Sequence, residues 1–207
     1  ANLALALAKS GASVGIADVD VYGPTIPTLL GVTAEPEIDR QRRITPVTSH
    51  GVKVGSMGFF MKPGEATIWR GPMLHKTVEQ FLKGVQWGEL DYLLIDLPPG
   101  TSDASLSMAH EAPISGVVIV CTPADVAWED AGKAVAMFDK LNVSVFGVIE
   151  NMSYFVCPHC GERSEIFGHG GGRRAAEELG LEFLGEIPLD PATREAADRG
   201  VPIVEAA

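Results

Sequence analysis

Basic charge is scarce in this sequence. Its 207 residues carry 16 Lys and Arg against 27 Asp and Glu, a formal net charge of -11. An activity built mainly on neutralising a nucleic-acid backbone is thereby disfavoured, although one local basic patch would be compatible with it. Cysteine is scarce too: the three present, two of them in a single C-x-x-C, are not a disulfide framework. That usage fits a reducing compartment and a metal or redox role for the pair. No apolar run approaches the roughly 18–20 residues needed to span a bilayer, and no secretory signal is visible. The expectation is a soluble, cytoplasmic protein with neither a nucleic-acid nor a membrane partner.

What is present is ordinary for a globular chain, with 46% hydrophobic and 21% charged residues. The length suits one sizeable core, so a single domain over residues 1–207 is expected. The opening "ANLALALAKSGASVGIADVD" lacks both Met and a Ser/Thr/Asp N-cap. It reads as the body of a helix, which predicts a fragment that begins inside its first helix.

Helical and apolar segments then alternate. "SVGIADV", "GVKVGSM", "DYLLIDLPPG", "GVVIVCTP", "VSVFGVIENM" and "EFLGEIPLD" read as strands, the third and fourth as buried ones. "PMLHKTVEQFLKGVQW" puts Leu74, Val78, Phe81, Leu82 and Val85 on one helical face. "TSDASLSMAHEA", "VAWEDAGKAVAMFDKL", "GRRAAEELG" and "PATREAADRG" read as further helices. Residues 34–50 are polar and poorly periodic, an excursion holding a short strand. The pattern predicts a doubly wound α/β fold, a mostly parallel sheet with helices on both faces.

In such sheets ligands gather at the carboxyl ends of the strands. Polar residues stand there in this chain: Asp18 and Asp20, Asp96, Pro123 and Asp125, and Asn151. "LLIDLPPGTSD" joins an Asp at a strand end to a tight turn with Gly100. Such an Asp can hold Mg²⁺ or its water, and a glycine lets a backbone N–H approach a phosphate. A plain strand end followed by a Pro-rich turn and a helix cap is the alternative. A nucleotide site of this kind also needs a G-x-x-x-x-G-K-[ST] loop, and the sequence contains none.

"NMSYFVCPHCGERSEIFGHGGG" carries Cys157 and Cys160, two thiolates where a structural metal wants about four ligands. The third cysteine, Cys121, lies in an apolar strand. Spacing leaves structural zinc, an iron–sulfur or other soft metal centre, and a redox thiol pair all open. His159 sits between the cysteines, and His169 is a candidate third ligand in a Gly-rich turn. That turn reads as a flexible hinge ahead of Arg173 and Arg174. Trp128, Met137 and Phe138 read as core or interface, His75 and Lys76 as a solvated helix face. Arg70 of "WRGP" is a candidate switch or partner contact.

"DVDVYGPTIPTLLG", "WRGPM", "DYLLIDLPPGTSD", "TPADVAWEDAGKAVAMF", "GVIENMSYFVCPHCGERSEIFGHGGG" and "GEIPLDPATREAADRGVPI" together resemble the Mrp-type (ApbC/Nbp-like) iron–sulfur carrier ATPases. These belong to the deviant-Walker-A class with MinD, ParA and the nitrogenase iron protein, and the likeness runs over essentially the whole chain. The resemblance implies a P-loop NTPase fold lacking, in this chain, its first strand and phosphate loop. It implies that Asp18 and Asp20 place Mg²⁺ and the attacking water, with Asp96 on the magnesium side. Gly100 and Thr101 would contact phosphate, Asn151 would read adenine, and Pro188 to Asp190 would line the base pocket. Cys157 and Cys160, in a metal loop at 152–172, resemble ligands of a labile [4Fe–4S] cluster bridging a homodimer.

The implied activity is ATP-dependent cluster assembly and delivery to apo-protein clients, with ATP and Mg²⁺ as cofactors. The 207-residue chain alone is expected to bind and hydrolyse ATP poorly. Two rivals remain at this level. One is a MinD/ParA-like positioning ATPase, for which "RGVPIVEAA" offers neither a membrane-binding helix nor a basic surface. The other is a non-enzymatic interaction module stapled by Zn²⁺.

Overall fold

The computed structural model describes residues 1–61 and 71–206; Arg70 lies outside them. In chain order the elements begin with helix α1 (Asn2–Lys9), strand β1 (Val14–Asp18) and a short helix α2 (Ile26–Leu29). Strands β2 (Glu37–Ile38), β3 (Ile44–Thr45), β4 (Val47–Ser49) and β5 (Val52–Ser56) follow. Next come α3 (Gly71–Gly84), β6 (Tyr92–Asp96) and α4 (Asp103–Glu111). The chain continues through β7 (Val117–Cys121), α5 (Asp125–Lys140), β8 (Val145–Val156), β9 (Arg163–Ser164), α6 (Gly171–Leu179) and β10 (Phe183–Leu189). It closes with α7 (Pro191–Asp198) and α8 (Ile203–Ala206).

These elements form two compact units, residues 1–111 with 192–207, and residues 112–191. The first holds a sheet of order β4-β5-β1-β6, in which β5, β1 and β6 are parallel and β4 is antiparallel to β5. β1 has a hydrogen-bonded neighbour on each side, and all five of its residues are buried. That explains its continuous small apolar run in place of an alternating one. Leu5 of α1 packs with Val14, Ile16, Val52 and Val54 into the core of this unit. The backbone after α1 turns at Gly11, whose φ of 98° is the left-handed conformation a glycine adopts without a Cβ clash.

The second unit holds β10-β8-β7, all parallel, with β9 returning antiparallel to β8. Ile119, Trp128, Val148 and Ala176 form its buried centre. The expected α/β class and its mostly parallel sheet are what the structure shows. No helix among the described residues is long and apolar enough to cross a membrane.

Three details differ from the reading of the sequence. β6 and β7 were expected to be buried, yet Tyr92 and Leu93 on β6 and Val118 and Val120 on β7 are exposed. Each strand has a partner on one side only among the described residues, so apolar composition alone did not bury it. Residues 34–50 contain the β2–β3 hairpin as well as β4, which lengthens the first sheet in the antiparallel sense. β8 does not stop at Met152 but runs on to Val156, so Cys157 follows the strand directly.

Candidate functional site

Within the first unit, the register of three parallel strands brings Ser56, Asp18 and Asp96 side by side, because Asp18 is the Cα partner of both others. Asp18 is fully buried. Its Oδ2 accepts from the Ser56 hydroxyl at 2.8 Å and from the Ile26 amide at 3.3 Å, and its Oδ1 from the Asp20 amide at 3.3 Å. Burial pushes the carboxyl up to about 6, with the Asp96 charge acting in the same direction and those hydrogen bonds opposing it. Asp96 is pushed up as well, by desolvation first and by the charge of Asp20.

Asp20 is half-buried, and its Oδ1 accepts from the amides of Tyr22 at 3.0 Å and Gly23 at 3.1 Å. The turn 20–23 is therefore shaped by its own carboxylate, an Asx-type arrangement. Gly100 is exposed with φ 72°, and nothing lies within 4 Å of where its Cβ would be. Its backbone is open to approach. Thr101 beside it is exposed too. The first unit thus groups Asp18, Asp20 and Asp96 at one sheet end. Ser56 is the member that sequence reading passed over, although it closes "VKVGS" as Asp18 closes "VGIAD".

Within the second unit, Asn151 is the register partner of Ile187, which puts it next to Pro188. The structure thus brings Asn151 and Pro188 together on adjacent strands; Pro188 and Leu189 end β10 rather than forming a turn, and Asp190 follows directly after the strand. Four residues past Ser153 the cysteine hairpin begins. The Cys157 amide donates to the Glu162 carbonyl at 2.9 Å, and the Gly161 amide donates to the Cys157 carbonyl at 2.8 Å. Amide N–H groups of Cys160 and His159, then the Cys160 thiol, donate to the Cys157 sulfur and lower its pKa. Cys160 is exposed and Cys157 half-buried. Such amide-supported, low-pKa sulfur is the state in which a thiol binds a soft metal. The pair offers two of the roughly four thiolates that a zinc or iron–sulfur centre takes. Cys121 differs, since burial pushes its thiol up.

His169 does not join the cysteines. Its Nδ1 lies 3.4 Å from the Ser153 Oγ, 3.4 Å from Arg163 Nη2 and 3.9 Å from Glu150 Oε1. Glu150, which sequence reading did not single out, is fully buried. Burial pushes its carboxyl up, but hydrogen bonds from Ser153, Gly172 and Gly170 outweigh that and leave it lowered. The Gly-rich turn expected to be a hinge is thus tied to Glu150 through the amides of Gly170 at 3.2 Å and Gly172 at 2.6 Å. Arg174 stays exposed and pairs on the surface with Asp125 at 3.2 Å, and Arg173 lies over the Phe183 ring at 4.4 Å. A charged residue inside the apolar run "FGVIE" was the available signal for Glu150.

In the first unit Lys76 is exposed as expected, and the half-exposed His75 also makes specific contacts. Its Nδ1 is 2.9 Å from the Ser107 hydroxyl and its Nε2 3.4 Å from Glu111, which joins α3 to α4. Trp128 and Phe138 are buried and Met137 half-buried, as expected of core residues.

The whole chain, residues 1–207, matches the family model described as ParA: NUBPL iron-transfer P-loop NTPase. It is 47% identical over 204 residues to an Arabidopsis thaliana protein, "Iron-sulfur protein required for NADH dehydrogenase, mitochondrial", covering 98% of this chain and 65% of that one. It is 50% identical over 204 residues to the "Iron-sulfur cluster carrier protein" of Deinococcus radiodurans, covering 98% of this chain and 58% of that one. The chain therefore spans less than two thirds of these relatives' own lengths. Among solved structures, the nucleotide-binding protein of Archaeoglobus fulgidus, in complex with ADP and with cobalt found in it, superposes with a TM-score of 0.85. That match has 38% identity and covers 100% of this chain and 81% of the other. By the family model over its whole length and by these likenesses, the chain belongs to the NUBPL iron-transfer P-loop NTPase family of ParA type.

Proposed function

We propose that the protein containing this chain is an ATP-dependent iron–sulfur carrier. It holds a labile [4Fe–4S] cluster as cargo between two copies of the chain and delivers it to apo-protein clients in the cytoplasm. The observation that carries this reading is the cysteine hairpin. Backbone amides support the Cys157 sulfur, yet the hairpin supplies only Cys157 and Cys160. Two-fold symmetry is the commonest way to double a ligand set, and a second copy brings the thiolates to four.

Asp18, Asp20 and Asp96 serve Mg²⁺ and the attacking water in this reading, Gly100 and Thr101 the phosphates, and Asn151 with Pro188 and Asp190 the adenine. The carboxylate grouping at one sheet end supports the first role, and the open backbone at Gly100 supports the second. The 207 residues contain no G-x-x-x-x-G-K-[ST] run, so tight ATP binding requires a phosphate loop that they do not supply. The chain by itself binds ATP weakly on this account. Nucleotide-dependent reorientation of the two copies then biases the cluster between held and released states.

Anaerobic reconstitution of the full-length protein with iron and sulfide tests the reading. We expect stoichiometric iron and sulfide, a cluster absorption band, and a cluster-dependent dimer by analytical ultracentrifugation. Zinc in place of iron, or a band that persists in Cys157→Ala/Cys160→Ala, would sink it.

A further inference from the structure

One carboxylate holds both legs of the cysteine hairpin. On the outgoing leg, the Ser153 hydroxyl donates to Glu150 Oε1 at 2.5 Å. On the returning leg, the amides of Gly170 and Gly172 donate to Glu150 Oε1 and Oε2 at 3.2 and 2.6 Å. Glu150 and Ser153 are both fully buried. Cys157 and Cys160 thus sit in a loop, 153–170, whose two ends meet on a single side chain.

The outgoing leg is irregular where it is clamped. Between Ile187 and Leu189, β10 advances two residues while β8 advances four, from Asn151 to Phe155. This is a bulge, and inside it Met152 has φ 56°, a left-handed conformation that a non-glycine residue adopts at a cost. The Glu150–Ser153 bond spans that residue and holds the bulge shut. Arg163 braces the hairpin from outside, with its guanidinium over the Tyr154 ring at 3.9 Å and near Glu186 at 3.7 Å.

We propose that Glu150, acting through Ser153 and the 170–172 turn, is the positioning residue that sets the Cys157–Cys160 pair relative to Asn151. The inference rests on the carrier reading for the roles of Asn151 and the cysteines. A shift of the strand at Asn151 moves Glu150, its immediate neighbour, and Glu150 pulls on both legs of the loop at once. Glu150, His169 and Glu186 do bring ligand atoms within 4.8 Å of one another. Yet Glu150 already takes three donors, and Arg163 lies against both His169 and Glu186. A clamp accounts for this arrangement better than a second metal site.

The test uses Ser153→Ala and Glu150→Gln in the full-length protein. Amide hydrogen exchange reads the hairpin, and Co²⁺ titration followed by thiolate-to-cobalt absorption reads the cysteines. Both variants should keep the parent's circular dichroism, exchange the Cys157 and Gly161 amides roughly tenfold faster, and weaken Co²⁺ binding by about 10-fold or more. Glu150→Gln should show the larger effect, because its amide NH₂ faces a donor. Parent-like exchange and Co²⁺ affinity in both variants would overturn the proposal. So would Co²⁺ binding that survives Cys157→Ala/Cys160→Ala but is lost in Glu150→Gln, the mark of a cation site at the trio. Should neither variant fold, the parent decides: the amides of Cys157, Gly161, Gly170 and Gly172 must open as one unit, and unrelated rates overturn the clamp. If the hairpin loosens as expected while the parent forms no cluster on reconstitution, the carrier reading falls and the clamp stands.

Discussion

Asp18 and Asp96 are register partners on adjacent parallel strands, and both carboxyls are pushed up from their ordinary range. Asp18 reaches about 6, above its unfolded value near 3.8. The folded protein therefore holds that proton more tightly than the unfolded chain does. Stability from this group is fully present below about pH 4 and is lost as pH rises to about 6. The loss is of the order of 2–3 kcal/mol for Asp18 alone. Glu150, whose carboxyl is lowered, works in the opposite sense. Comparison with Asp18→Asn isolates the effect: urea unfolding from pH 4 to 7 should show the parent losing stability relative to the variant. Parallel curves would show that Asp18 does not titrate in that window.

The three thiols should separate by reactivity. Amide donors lower the Cys157 thiol, whereas burial raises that of Cys121. Because the thiolate is the nucleophile, iodoacetamide near neutral pH should label Cys157 first and Cys121 last. Peptide mass spectrometry of the metal-free protein over time reads the order directly.

Gly171 has no room for a side chain. A Cβ there would lie 2.1 Å from the Pro123 carbonyl oxygen, a backbone atom that cannot rotate away. Gly171→Ala should cost roughly 1–3 kcal/mol, the range of overpacking. Denaturant unfolding should show the midpoint fall with an unchanged m-value. The same substitution at Gly132, where nothing lies within 4 Å, should not destabilise through packing.

Leu5 is fully buried against β1 and β5 in the first unit. Leu5→Ala removes that contact and leaves a cavity, which should cost about 2–5 kcal/mol. Leu3, on the same helix but 54% exposed, should tolerate alanine with little change. Thermal melts of the two variants make the comparison.

Much of the fold was legible because its signals are local. Of the predicted helical face, Leu74, Val78, Phe81 and Val85 are buried and Leu82 is half-buried. The runs ending at Asp18 and Asp96 do form strands that stop at those residues. Exposure was less legible: "DYLLID" and "GVVIVC" are as apolar as "SVGIAD", yet of the three only the last has a strand on each side among the described residues. How many neighbours a strand has is a property of the sheet, and no single segment encodes it.

The cysteine hairpin divides the same way. The sequence by itself determined that a C-x-x-C follows an apolar strand carrying Asn151, and that a Gly-rich turn comes next. Only tertiary structure decided that this turn is not a free hinge. Glu150 and Gly172 are neighbours because β8 and the start of α6 meet there, and a buried carboxylate needs donors wherever the fold can bring them. Residues far apart in the chain then share one hydrogen-bonded centre, which no local pattern of apolar and polar residues records.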